Sequence, residues 1–285
     1  MISKLSFFIT LAKEKHFGKA ATKLGITQPS LSAAIKQLED SLGVMLIKRG
    51  TRFQELTEEG QRVLEWALRI TADTRTMREE MQSLKKGLTG TLRIGTIPSA
   101  VALIPELTNS FLKSHPTIKF QIYSRNSHEI ISSLERFEID IGITYLNNDP
   151  ISKLTTVPIS SENYCLMTQI NNKNKNTKSI TWSEVSNYKL CLLTEDMQNR
   201  RILEYYFAES NVSVDPSLEA NSLLILFAHI QTGKWSSILP MSLAKTLIVN
   251  KNIKAIPIKE HKSLHQIGIV ALERDPHTPL IATLL

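Results

Sequence analysis

The sequence predicts an α/β protein of several domains. An all-α N-terminal unit with a winged helix-turn-helix comes first, then a long dimerisation helix, then a two-lobed α/β half. Three observations carry this reading. Residues 17–39 hold two short helical patterns around Gly25-Ile26-Thr27. Residues 58–90 carry a heptad of apolar positions with no proline. From Thr91 onward, short apolar runs alternate with amphipathic stretches of helical length. At 285 residues the chain is long enough for two or three separate cores.

The first helix is expected over about Lys4 to Glu14, offering Leu5, Phe8, Ile9 and Ala12 to a small core. Ala20, Ala21 and Leu24 share a face of the next helix, and Gly25 suits the break after it because it reaches positive φ without a steric penalty. Pro29 is tolerated in the first turn of the following helix, where Leu31, Ile35 and Leu38 repeat. This arrangement fits a helix-turn-helix, and the same residues also fit an ordinary αα-hairpin. Leu42 to Ile47 reads as a turn and short strand, Lys48-Arg49-Gly50-Thr51-Arg52 as a basic hairpin tip, and Phe53 to Leu56 as the return strand. The arginines of such a wing can enter a minor groove, or they are solvated loop charges.

Thr57 is placed to cap the long helix, with Glu58 and Glu59 against the positive end of its dipole. Val63, Ala67, Ile70, Thr74, Met77, Met81, Leu84 and Leu88 step alternately by four and three, the pattern of a dimer seam weakened at Thr74. A long helix packed on its own domain would use the same pattern. Gly87 and Gly90 read as a hinge. The domains expected are therefore 1–57, 58–90 and 91–285.

In the last of these, strands are expected at Thr91–Gly95, Ile118–Tyr123, Ile139–Tyr145, Lys189–Leu193, Leu218–Ala220, Ser236–Leu239, Ile253–Ile258 and His265–Leu272. Helices are expected at Ala100–Ser114, Ser127–Phe137, Met197–Asn211, Ser222–Thr232 and from Pro279. Asn171 to Ser179 is a polar run expected as an exposed loop. The alternation implies parallel sheets in two lobes joined by two crossing strands, one lobe spanning about 91–160 with 268–285 and the other about 161–267.

The net charge of +7 is concentrated at the start. Nine Lys/Arg face six Asp/Glu in residues 1–60, six face four in 61–90, and 19 face 17 in 91–285, so the first 90 residues hold +5. That favours a polyanion partner for this part. No run approaches the length of a membrane span, and the N-terminus has no cleavage site, which points to a cytoplasmic protein. Cys165 and Cys191 sit in apolar strand-like runs and read as buried reduced thiols. The seven histidines are scattered, and no nucleophile elbow, phosphate loop or metal motif occurs. Neither catalysis nor a metal or other cofactor is expected. Residues able to cap helices do follow several strands: Pro98-Ser99, Asn126-Ser127 with Glu129, Thr194 to Met197, and Asn221-Ser222. Singly each is a cap; as a set around an inter-lobe cleft they suit a small anion.

These residues carry a family resemblance. The run F-x-K-A-A-T-K-L-x-I-T-Q-P-S-L-S-x-x-I-K-Q-L-E-D-x-L-G-V-x-L-I-K-R, followed by E-L-T-E-E-G, resembles the LysR-type transcriptional regulators. The later runs L-R-I-G, L-E-R-F-E-I-D-I-G-I and T-G-K-W-S-S-I-L-P do so too. The resemblance implies a homotetrameric DNA-binding regulator, dimerised through the linker helix, with a periplasmic-binding-protein-like effector domain. It assigns Gln28, Pro29, Ser30, Ser32 and Lys36, with Arg49 and Arg52 of the wing, to double-stranded DNA. It assigns Ser99, Ala100, Ser127, Tyr145, Thr194, Gly233 and Trp235 to a small-molecule effector. Ala33 and Ala34 stand where many relatives place an arginine, and Trp235 stands where a small residue is expected, which would narrow the cleft. Peroxide-sensing relatives carry a cysteine pair at positions that Cys165 and Cys191 do not occupy. The run Thr194 to Arg201 is similar to a branch of the family found near formate-oxidation genes, which favours a small carboxylate or inorganic anion. A solute-binding receptor without a DNA role is the alternative that the second half alone would permit.

Overall fold

A computed structural model of the chain describes residues 1–48, 55–146, 154–172, 174–248, 252–259 and 265–285. The chain forms two compact units, Met1–Leu88 with His277–Pro279, and Thr89–Pro276 with Leu280–Leu285.

In the first unit, α1 (Ile2–Glu14), α2 (Phe17–Leu24) and α3 (Gln28–Leu42) are followed by α4 (Glu58–Lys86). Leu5, Phe8, Leu11, Ala20, Ala21, Leu31, Ile35 and Leu38 form one core with Leu46, Ile47 and Ala67. The buried face of α1 runs through Leu11, with Ile9 at its edge and Ala12 half-buried. Gly25 ends α2 at φ 67°. Thr27 opens α3, its hydroxyl accepting from Ser30 N–H at 3.3 Å. After α3, the Glu39 carboxylate accepts the N–H groups of Leu46 and Ile47 at 2.8 and 3.4 Å and holds the returning chain. An antiparallel bridge then pairs Ile47 with Leu56, and Thr57 caps α4 by accepting from Gly60 N–H at 2.9 Å. Gly60 is required by packing: a Cβ there would lie 2.1 Å from the Leu46 carbonyl oxygen. The rest of the hairpin tip, including Arg49 and Arg52, lies outside the described residues.

Along α4 only the first part of the heptad meets the core. Ala67 is buried, whereas Ile70, Met77, Met81 and Leu84 are exposed by 39%, 56%, 49% and 77%, and Trp66 joins that stripe at 61%. Thr74 is half-buried and returns its hydroxyl proton to the Ile70 carbonyl at 2.8 Å.

The second unit has β1 (Gly90–Thr96), a 3₁₀ turn (Pro98–Leu103), α5 (Ile104–Ser114), β2 (Ile118–Ser124), α6 (Ser127–Glu135), β3 (Ile141–Tyr145), β4 (Leu154–Ser161) and β5 (Tyr164–Gln169). Then come α7 (Trp182–Val185), β6 (Cys191–Leu193), α8 (Gln198–Glu209), β7 (Leu218–Ala220), α9 (Leu223–Gln231), β8 (Ser237–Pro240), α10 (Met241–Leu247), β9 (Ile253–Pro257), β10 (Gln266–Leu272) and α11 (Pro279–Leu284). The helix expected from Ala100 instead starts as the 3₁₀ turn. Pro105 has no N–H to donate back to residue 101, so an α-helix cannot run through it. The expectation missed α7, α10 and β4. β4 contains Pro158 and lies at a sheet edge, where a proline is tolerated.

Lobe one is a sheet in the order β2-β1-β3-β10-β4. Its first three strands are parallel, and β10 is antiparallel to both neighbours. Lobe two repeats this plan with its own strands: β7 and β6 are parallel, a parallel bridge from Leu190 to Ser236 joins β6 to the start of β8, and β5 runs antiparallel between β8 and β9. Its sheet is therefore mixed, not purely parallel as expected. Arg93 and Asp140 lock β1 to the start of β3 through a two-pronged contact, Nε to Oδ2 at 3.1 Å and Nη2 to Oδ1 at 2.8 Å. The polar run after β5 is not wholly exposed. Asn174 is buried, its Nδ2 donates to the Gln169 carbonyl at 2.8 Å, and Lys254 Nζ donates to the Thr177 carbonyl at 2.6 Å.

Candidate functional site

Two surfaces gather part of the residues singled out by the sequence. On α3, Leu31, Ile35 and Leu38 turn inward, which leaves Gln28, Pro29, Ser30, Ser32 and Lys36 exposed. Ala33 is exposed on the same face. The Ser30 hydroxyl lies 2.8 Å from that of Thr27, so Ser30 is partly held at the helix start. Gln28, Ser32 and Lys36 stand four residues apart, one above another on the helix. This is a row of donors and acceptors that no side chain of the unit's own core consumes.

The second surface is a narrow cleft between the two lobes. Ile97, Pro98, Ser99, Asn126, Ser127 and Tyr145 line it from lobe one, and Leu193, Met197, Gln198 and Asn199 from lobe two. The strand-to-helix connections bring these residues together. Asn126 and Glu129 close the N-terminus of α6 with a reciprocal capping box, at 2.8 and 3.0 Å. Met197, at the start of α8, makes no side-chain cap. No lysine or arginine lines the cleft among the described residues.

Three lining residues belong to a buried polar cluster. Tyr145 Oη donates to Glu162 Oε2 at 2.8 Å, and Tyr164 Oη donates to the same oxygen at 2.5 Å. Asn199 Nδ2 donates to both phenol oxygens, at 3.3 and 3.5 Å, and Ser99 Oγ lies 3.1 Å from Tyr145 Oη. Glu162 is only 4% exposed, and its Oε1 has no partner among the described residues. Burial pushes its carboxyl above the usual carboxylate range, opposed by the hydroxyls of Tyr164, Tyr145 and Ser99. Burial, reinforced by the Glu162 charge, pushes both phenols well above their ordinary value. His265 presents its ring edge-on to Tyr145 and Tyr206, at 6.4 and 5.7 Å. Burial lowers its pKa, and neither of its nitrogens has a partner among the described residues.

Ser99, Ser127 and Tyr145 thus meet on one cleft. The other expected effector residues do not line it. Ala100 is buried, and its N–H is spent on the Ile97 carbonyl at 3.0 Å. Thr194 has a buried hydroxyl without a partner among the described residues, while its N–H bonds to Ala220. Gly233 stands at φ 76° against the Gln169 side chain. Trp235 packs on the core of lobe two, with Lys189 Nζ 4.1 Å from its ring centroid, and so does not narrow the cleft. Glu162, Tyr164 and Asn199 were not anticipated. The one local signal was a carboxylate between two strand-like runs, Ser160-Ser161-Glu162-Asn163-Tyr164. Both thiols are buried, which pushes Cys165 up to about 12 and Cys191 up to about 11.

Comparison with known proteins covers nearly the whole chain. The family described as "Bacterial regulatory helix-turn-helix protein, lysR family" matches residues 2–61, and "LysR substrate binding domain" matches residues 85–285. The uncharacterized HTH-type transcriptional regulator YbhD of Escherichia coli (strain K12) is 27% identical over 270 residues, 94% of this chain and 84% of that protein. The HTH-type transcriptional regulator AlsR of Bacillus subtilis (strain 168) is 27% identical over 283 residues, 97% and 91% of the two chains. Among solved structures, full-length OxyR from Pseudomonas aeruginosa gives a TM-score of 0.78 at 24% identity, covering 100% of this chain and 93% of that one. Full-length CbnR complexed with its target DNA gives 0.70 at 22%, with 100% and 97% covered. At these identities the structural likeness speaks for the fold.

Proposed function

The chain belongs to the LysR family of DNA-binding bacterial transcriptional regulators, and on that premise we propose how it works: α3 reads promoter DNA, and a small anionic effector held between the lobes of the second unit modulates the reading. The exposed row on α3 supports the first part. Gln28 has the bidentate group that fits the major-groove edge of adenine, Ser30 and Ser32 suit bases or phosphates, and Lys36 suits a phosphate. Arg49 and Arg52 are the proposed minor-groove contacts. Ala33 and Ala34 supply no polar contact, so the hairpin or DNA shape must make up the difference.

One observation carries the effector reading: α6 and α8 both begin on the same cleft, beside the hydroxyls of Ser99 and Ser127, and α8 begins without a side-chain cap. Free N–H groups and the positive end of a helix dipole favour an anion. The Glu162 carboxyl would repel one if charged; burial disfavours that charge, opposed by the hydroxyls of Tyr164, Tyr145 and Ser99. The narrow lining favours a small carboxylate or inorganic anion. Thermal-shift titration with formate, acetate and sulfate tests the cleft. Ser127→Ala is expected to weaken stabilisation by the binding anion while leaving DNA binding intact; full stabilisation in this variant contradicts the assignment. The exposed stripe on α4, from Trp66 to Leu84, supports a homodimer through this helix, within a homotetramer. The raised thiol pKa values support an effector-binding regulator over a thiol-based sensor.

A further inference from the structure

Resting on the effector reading above, we propose that the cleft selects a small acid that also carries a hydrogen-bond donor, an α-amino or α-hydroxy acid. The Glu162 cluster makes Ser99 and Asn199 acceptors, while Ser127 remains a donor.

The assignment follows from counting protons. Two phenols converge on Glu162 Oε2. Whether the carboxyl is ionised or protonated on Oε1, that oxygen accepts from both. The single proton of Tyr145 is then spent, so its oxygen can only accept. Ser99, 3.1 Å from Tyr145 Oη, therefore spends its proton inside the cluster, on Tyr145 or on Glu162, and turns its lone pairs to the cleft. Asn199 must likewise present its Nδ2 to the two phenol oxygens, which leaves Oδ1 to accept from the cleft side. Across the cleft the polarity is opposite. Thr144 donates its hydroxyl proton to Ser127 Oγ at 3.0 Å, so the Ser127 proton is free for a ligand, as is the uncapped start of α8.

A plain carboxylate would satisfy only the donor half and leave Ser99 and Asn199 unmet. Desolvating acceptors without partners is unfavourable, so a ligand with an ammonium or hydroxyl group beside its acid is preferred. Glu162 acts through Tyr145 and is a positioning residue for Ser99 and Asn199.

Calorimetric titration of the full chain with two matched sets, alanine, lactate and propionate, then valine, 2-hydroxyisovalerate and isovalerate, tests this. The amino or hydroxy acid should bind about tenfold or more tighter than the plain acid, a ratio of the size expected for unmet acceptors. Comparing the amino with the hydroxy acid identifies which donor is read. Glu162→Met releases the Tyr145 proton toward Ser99, and Tyr145→Phe removes the link; both should reduce the ratio to about twofold or less, the level left when the polar match is lost. Glu162→Gln should keep it, because its carbonyl still accepts from both phenols. Equal affinity for all three acids, with Ser127→Ala still weakening them, would place the cluster proton on Oε2, make Ser99 a donor and overturn this inference while leaving the cleft assignment standing. A preference that survives in both Glu162→Met and Tyr145→Phe also overturns it. Failure of every acid to bind overturns the cleft assignment and this inference together.

Discussion

The two units treat their polar groups in opposite ways. The first unit leaves Gln28, Ser32 and Lys36 exposed on a helix whose other side is a dry core of Leu31, Ile35 and Leu38. The second unit folds Ser99, Tyr145, Glu162, Tyr164 and Asn199 into a buried network that reaches a cleft. An exposed row suits a partner that brings many charges and is read by surface contact. A buried network suits a small ligand whose donors and acceptors must be matched. Interactions in the first are expected to respond to salt, and those in the second to protonation and to single-atom changes in the ligand.

Several changes would break or sharpen this contrast. The largest effect is expected from Gly60→Ala, whose Cβ would meet the Leu46 carbonyl at 2.1 Å. Backbone cannot rotate away as a side chain can, so the first unit should lose about 2–3 kcal/mol of stability, measured by chemical denaturation. The second unit should keep its own transition. Met77→Asp places a charge in the exposed stripe of α4 and should lower the oligomeric state seen by light scattering; an unchanged mass would remove that stripe as a dimer seam. Lys36→Ala should weaken DNA binding across all sequences and reduce the slope of log affinity against log salt by about 1, as expected for one lost phosphate contact.

The smallest effect is a pH dependence in the second unit. Glu162 has its pKa raised by burial, so its contribution to stability is complete below the ordinary carboxylate range and is lost as pH rises through the raised value. Glu162→Gln removes that loss, so its melting temperature should gain on the parent's as pH is raised from about 5 to about 8. His265 works in the other direction. Its lowered pKa gives stability that is present above the ordinary imidazole range and is lost as pH falls through the depressed value. His265→Gln should therefore flatten the acid side of the same curve.

The same contrast explains what could be read from the sequence. The α3 face follows from spacing within fifteen residues, because helical period and a glycine turn are local properties. The heptad on α4 was equally visible, and so was the strand-helix alternation of the second unit. The buried network was not. Ser99, Tyr145, Glu162 and Asn199 come from four separate segments, and only sheet order and lobe crossing bring them together. Ser99 and Ser127 were found as residues at helix starts, whereas Glu162 had no motif to mark it. Trp235 was misplaced for the same reason: an aromatic ring after a helix gives no sign of which side of its lobe it will cover. The 3₁₀ turn before α5 was within reach, since Pro105 alone forbids a continuous helix.

The most direct test of two separable surfaces is to measure both properties on two variants. Promoter-fragment binding and thermal stabilisation by lactate, alanine and propionate would be recorded for Ser127→Ala and Lys36→Ala. Ser127→Ala should bind DNA as the parent does and lose stabilisation by the acids. Lys36→Ala should bind DNA more weakly than the parent and keep stabilisation by the acids. Loss of both properties in either variant, or stabilisation of Ser127→Ala equal to the parent's, would contradict the division of reading and sensing between α3 and the cleft.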